Sequence, residues 1–182
     1  PYIVSITNDA VQTVKQNRIW FSVPAKGSGS LIANTLFDAG LIKDIDDLYT
    51  LKSEQIQTLP GFKQTSADNI IKSIWHNSTN VPVVRWLGAL PFLDVDSKKW
   101  DILLTSILGN DEMYRSNVIK HIFTEAPEEF DDLLVQGVRG IGTATVKSMN
   151  EGFITNKDMF ARLIKFITFK VTTDVTNKGK VC

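Results

Sequence analysis

Four short turns, each opening a helix, fall along this chain at residues 27, 61, 94 and 140, and that recurrence is the tightest constraint on its fold. A helix–turn–helix unit cannot bury its apolar face alone, so copies in series must stack into a helical array. The fourth copy is the best formed: Val138-Arg139-Gly140-Ile141-Gly142-Thr143-Ala144-Thr145-Val146. Glycine admits φ > 0 and lets backbone approach a ligand with no Cβ in the way. The first turn of the helix that follows leaves N–H groups without intrahelical partners, and the dipole there favours an anion. Gly-apolar-Gly ahead of a helix therefore reads as a phosphate cradle, with Ile141 turned back to pin it to a core.

The other copies are weaker. Lys26-Gly27-Ser28-Gly29 heads the first, and Gly61-Phe62-Lys63 the second. The third is placed by its flanks. Trp86-Leu87-Gly88-Ala89-Leu90 precedes Asp94-Val95-Asp96, where carboxylates stand at the glycine positions. They would repel a phosphate, which assigns this copy to packing. Cations recur at the turns: Lys26, Lys63, Lys98 with Lys99, and Arg139 with Lys147. Hairpins in a row, each with a cation, suit successive phosphates of a duplex. Contacts of that kind carry no base information and weaken with salt. The expected DNA-phosphate contacts are Arg139, Gly140, Ile141, Gly142, Thr143 and Lys147 in the fourth copy. Lys26, Gly27, Ser28 and Gly29 are expected in the first, and Gly61, Phe62 and Lys63 in the second.

Charge pulls the other way. Twenty basic residues balance twenty acidic ones, so overall charge does not drive the chain toward nucleic acid. The acidic residues gather in connectors, Asp44-Ile45-Asp46-Asp47 and Glu128-Glu129-Phe130-Asp131-Asp132. Cys182 is the single cysteine, which excludes an internal disulfide and a four-cysteine zinc site. His76 and His121 lie in helical patterns without ligand spacing, so neither a metal nor a catalytic group is expected. No apolar run approaches the ~20 residues of a membrane span, and no signal-peptide pattern opens the chain. Pro1 in place of an initiator Met reads as a processed chain or a piece of a longer one.

Periodicity makes the chain almost wholly helical. Helices are expected from Asn8 or Asp9 through Ile19, over Ser30–Ala39, from Asp44 and from Ser53. Further helices are expected over Thr65–Trp75, from Pro82, and over Asp96–Leu108, Asp111–Phe123 and Pro127–Val135. Thr143–Phe153 and Asp158–Ile167 close the set. Met113, Val118, Ile119 and Ile122 are taken as the inner face of the helix from Asp111. Phe169-Lys170-Val171-Thr172 is β-prone and expected to be extended. Trp20, Trp75, Trp86 and Trp100 each sit in an apolar helical pattern and are expected in cores. The fold class is all-α, with four helix-turn-helix copies paired into two units and a short extended C-terminal segment.

These turns look like helix-hairpin-helix motifs, and their order resembles the four-motif helix-hairpin-helix domain of bacterial NAD⁺-dependent DNA ligases. The matching stretches are Ala39-Gly40-Leu41-Ile42-Lys43-Asp44 with Asp47-Leu48-Tyr49-Thr50-Leu51, and Leu59-Pro60-Gly61-Phe62 with Ser66-Ala67-Asp68-Asn69-Ile70. Pro82 to Leu90 is the third. The resemblance implies a non-catalytic domain that grips nicked double-stranded DNA in replication and repair. It implies a lead-in helix over 1–20 where the family has a zinc module, a DNA-binding domain over 21–168, and a linker with the start of a BRCT domain over 169–182. The implied partner is the catalytic adenylation and OB part of a ligase, in cis or as a separate subunit. The implied location is the cytoplasm of a bacterium or phage-infected host. No Lys-X-Asp-Gly string of a nucleotidyl-transferring ligase occurs here. No cofactor is therefore expected on this chain, NAD⁺ being used by the parent enzyme's adenylation domain.

Two other readings compete. A helix-hairpin-helix glycosylase or lyase, among other repair proteins, would carry a catalytic lysine just after the second glycine, where this chain has Ala144. A helical protein-interaction module with degenerate hairpins is favoured by the zero net charge and disfavoured by the cations at the turns.

Overall fold

In a computed structural model, residues 28–171 are described, the side chains of residues 28–31 and 33 aside. The chain divides into two compact units at Ser78/Thr79. This is the all-α architecture expected of tandem helix-hairpin-helix motifs, with a two-stranded parallel sheet as its one β element among the described residues.

In the first unit, helix α1 spans Ser28–Asp38. Gly40, at φ 77°, ends it: its N–H reaches the Phe37 carbonyl at 2.9 Å, and the Leu41 N–H the Leu36 carbonyl at 3.0 Å. Those two bonds satisfy carbonyls that the helix end would strand. The helix expected from Asp44 is a 3-10 turn over Ile45–Thr50. The Asp47 carboxylate accepts from the Lys43 and Asp44 N–H groups and ties down its start. The second hairpin follows as α2 (Ser53–Gln57) and α3 (Gln64–His76). Ile56, Ala67, Ile70 and Ile74 are buried at their junction, and the Ser53 hydroxyl donates to Asp68 across it at 2.6 Å. Tyr49 is buried and hydrogen-bonded to Ser78.

The second unit opens on β1 (Thr79–Val81), which pairs in parallel with β2 (Thr168–Phe169). The Lys170 N–H adds a bond to the Val81 carbonyl at 2.8 Å. Phe169 is buried, so the extended C-terminal segment docks into this unit through residue 170, past the expected boundary at 168. The third hairpin is α4 (Val83–Ala89) and α5 (Ser97–Leu108), with α6 (Glu112–Thr124) next. Pro127–Glu129 forms a 3-10 turn, and the fourth hairpin is α7 (Phe130–Leu134) and α8 (Thr143–Leu163). The two helices expected over Thr143–Phe153 and Asp158–Ile167 are therefore one through Leu163, and Ile164–Phe166 is a 3-10 turn. Nothing between them breaks a helix, and Asn156 bonds back to the Gly152 carbonyl at 3.0 Å within it.

An aromatic cluster fills this unit. Phe130 stacks on Phe153 at 4.0 Å, and Phe92 meets Trp100 edge-on at 4.9 Å. Phe123, Phe160 and Trp86 extend it to Phe169. Trp86 and Trp100 lie in the core, whereas Trp75 is 40% exposed on Tyr49. Its expected burial thus fails: the ring covers Tyr49 from outside. Trp20 lies outside the described residues. On α6 the inner face is Arg115, Ser116, Ile119, Ile122 and Phe123, and Met113 is 53% exposed.

Two glycines permit close approaches. A Cβ on Gly152 would stand 2.6 Å from the Phe92 ring and 2.9 Å from the Pro91 carbonyl oxygen. A Cβ on Gly88 would meet the Ser97 backbone nitrogen at 2.7 Å, where α4 crosses the start of α5. Backbone cannot yield as a side-chain tip can. Gly88→Ala is therefore expected to cost about 1–3 kcal/mol of overpacking, against the roughly 1 kcal/mol that alanine gains in a helix. Thermal unfolding checks it; a raised midpoint would mean that α4 and α5 separate freely.

Candidate nucleic-acid interface

Three of the four turns share one backbone path. In the second, Gly61 takes φ 86°, the Phe62 N–H closes on the Leu59 carbonyl at 3.2 Å, and Lys63 is extended as N-cap of α3. In the fourth, Gly140 takes φ 94°, the Ile141 N–H closes on the Val138 carbonyl at 3.0 Å, and Gly142 is the extended N-cap of α8. The third repeats each step without glycine. Asp94 takes φ 57°, the Val95 N–H closes on the Phe92 carbonyl at 3.2 Å, and Asp96 is the extended N-cap of α5. Short polar side chains are the ones that tolerate left-handed backbone, which is how an aspartate holds a glycine's place.

The first turn departs from the expectation. Helix α1 already runs from Ser28, so Ser28 and Gly29 lie in its first turn and not in a loop ahead of it. Serine and glycine at a helix start are compatible with either, and periodicity does not fix a boundary to within a residue or two. Lys26 and Gly27 lie outside the described residues.

The helix starts differ in what faces their free N–H groups. Asp96 places its carboxylate on the Lys99 N–H at 3.1 Å and so caps α5. Neither Lys63 nor Gly142 supplies a side-chain cap; the Ser66 hydroxyl accepts the Lys63 N–H at 3.2 Å at the start of α3, and no side chain caps α8. A Cβ on Gly142 would meet nothing within 4 Å, and one on Gly61 likewise. Arg139, Thr143 and Lys147 are exposed around the fourth turn, and Ile141 is half-buried. Lys147 also lies 3.9 Å from Glu151 one helical turn on, a solvated pair that leaves its charge available. Lys63 is exposed at the second turn. At the third, Lys99 folds back along the surface, its ammonium on the Asp94 carbonyl at 3.1 Å, and Lys98 is exposed.

Beside the fourth turn, α7 and α8 flank an open groove of about 570 Å³ lined by Leu134, Val135, Ile141, Thr143, Val146 and Lys147. Val135 is 75% exposed on its rim. Periodicity carries the helix through that valine; it stops at Leu134. Among the described residues no cluster of three histidine, cysteine or acidic side chains is arranged to hold a metal. His121 pairs with Glu129 at 3.4 Å on the surface. No described helix is long and apolar enough to cross a membrane.

Comparison with known proteins agrees with this geometry. Residues 26–74 match the family described as a SAM-like helix-hairpin-helix tandem. A DNA ligase of Nautilia profundicola is 31% identical over 145 residues, covering 78% of this chain. The chain carries a helix-hairpin-helix domain of the DNA-ligase kind. A DNA ligase of Campylobacter hominis is 31% identical over 144 residues, also 78% of the chain, and one of Aquifex aeolicus is 42% identical over 82 residues, 43% of it. The aligned region is 19% of the length of the first two ligases and 11% of the third. The match thus spans the helix-hairpin-helix region and leaves most of each ligase uncovered.

Proposed function

We propose that this chain holds duplex DNA around a nick, without regard to sequence, as the non-catalytic helix-hairpin-helix domain of an NAD⁺-dependent DNA ligase. The observation that carries this reading is the open start of α8: a left-handed Gly140, an uncapped Gly142 and clear space where a Cβ would stand. A phosphate oxygen in that space accepts from N–H groups that nothing else satisfies, beside Arg139 and Lys147. Gly61, Phe62 and Lys63 form a second contact of the same type. Lys26 to Gly29 remain a contact by sequence position. Adenylation, use of NAD⁺ and sealing belong to other parts of such a ligase, in cis or as a partner subunit, acting in replication or repair. A BRCT domain following the described residues fits the same reading, as does a cytoplasmic site of action.

Fluorescence anisotropy with a nicked duplex across a salt series tests this. Binding is expected at low salt and falls as salt rises, with a slope of about −0.9 per phosphate neutralised. Gly142→Val needs no backbone strain, since the residue sits at φ −84° in open space. It is expected to lower stability by no more than about 1 kcal/mol, since valine is a poorer N-cap than glycine, and to weaken binding about tenfold or more. Asp94→Ala is expected to have far less effect. Equal effects of the two would remove the fourth hairpin as the principal contact. Absence of binding at the lowest salt would favour a protein-interaction module, the reading that zero net charge supports.

A further inference from the structure

We infer that the third hairpin is a phosphate site closed by its own carboxylate, and that Asp94 and Asp96 determine which hairpins of this chain engage DNA. The inference rests on the DNA-holding role proposed above and goes beyond it by assigning a selective role to two residues. Three turns share one backbone path, so the path alone does not distinguish an open hairpin from a closed one. What differs is the occupant of the helix start. Helix α5 is a full twelve residues long, and the anion at its N-terminus is already present: the Asp96 Oδ1 atom accepts the Lys99 N–H at 3.1 Å. That N–H belongs to the set a phosphate oxygen would use at α8, where no side chain caps the helix, and at α3, where Ser66 takes only the Lys63 N–H.

Two further observations point the same way. Asp94 occupies the left-handed position at φ 57°, adding a second exposed negative charge beside the first. Of the two cations at this turn, Lys99 is engaged, its ammonium reaching back to the Asp94 carbonyl oxygen at 3.1 Å, which leaves Lys98 alone against two carboxylates. Val95 between the two aspartates is buried, so the turn is anchored to the core as firmly as an open one. A hairpin kept in shape while its phosphate position holds a fixed carboxylate leaves DNA to the second and fourth turns. It also bars the strand from the third.

The test restores Gly-Val-Gly in the full chain. In Asp94→Gly/Asp96→Gly, glycine suits the left-handed position, and glycine at an N-cap loses only a few tenths of the cap's stabilisation, so the variant folds. Asp96→Asn keeps a capping oxygen and removes the charge. Both are titrated with the same nicked duplex over a salt series, with circular dichroism as the check on fold. The double variant is expected to bind about tenfold tighter than wild type at low salt. Its log K against log salt slope should steepen by about 0.9, the signature of one added phosphate. Asp96→Asn is expected to fall between the two in affinity with the wild-type slope. A folded double variant with wild-type affinity and slope overturns the inference and leaves the DNA-holding role standing. A silent wild type with a binding double variant overturns that role as stated and upholds the closed hairpin. Silence from both overturns both.

Discussion

Phe130→Ala is expected to remove about 3–5 kcal/mol of stability from the second unit. Its ring stacks on Phe153 at 4.0 Å and stands within 6.5 Å of Phe92, Trp100 and Phe123. It is 1% exposed, so truncation exposes no water-accessible pocket that could collapse cheaply. It also begins α7, a helix of five residues that has little stability of its own and is held by this side chain. Denaturant unfolding followed by tryptophan fluorescence measures it, since Trp100 lies 6.4 Å away and reports directly. A loss below about 1 kcal/mol would mean that the cluster does not depend on Phe130. Because α7 leads into the fourth turn, duplex binding should fall along with stability.

Arg115→Ala is the second large effect, at about 2–4 kcal/mol. This arginine is 4% exposed and bonds across two helices. Its Nε donates to the Gly109 carbonyl at 2.7 Å, and its other nitrogens reach Asp101 at 3.1 Å and Thr105 at 2.6 Å. Gly109, at φ 81°, ends α5, so the guanidinium satisfies a carbonyl at a helix terminus and fixes where α6 begins. Asp101 is 56% exposed and rehydrates when the partner goes, which keeps the cost below that of a fully buried pair. Lysine lacks the planar fork, so Arg115→Lys should recover less than half of the loss. A lysine variant as stable as wild type in urea titration would reduce this cluster to a simple charge contact.

How much of this was legible in the sequence depends on the kind of signal. The second and fourth hairpins were, because a glycine turn closed on an apolar residue before a helix is a local statement that packing does not rewrite. Even the third could be placed, since Val95 and its flanking helices keep the pattern while the glycines are gone. Arg115 was not legible: a charged residue on an apolar helix face reads as solvent-facing until its guanidinium finds partners, here Gly109, Asp101, Thr105 and Asn110. Strand β1 was equally hidden, because Thr79-Asn80-Val81 is too short to show alternation and owes its conformation to Phe169 and Lys170, far along the chain. The contrast between an open and a self-capped helix start needed coordinates, since Asp96 three residues before Lys99 is only a cap signature in the sequence.

The parallel pairing of β1 with β2 gives the second unit a mechanical character. The chain enters the pair at the tail of β1, Thr79, and leaves it at the head of β2, Phe169, the opposite end of the ladder. Tension pulling on residues before Thr79 and after Phe169 therefore runs along both strands in opposite directions. It loads their hydrogen bonds together in shear instead of peeling them one at a time. Whatever tugs on this unit through its flanking chain meets that clasp before it reaches the helices behind it.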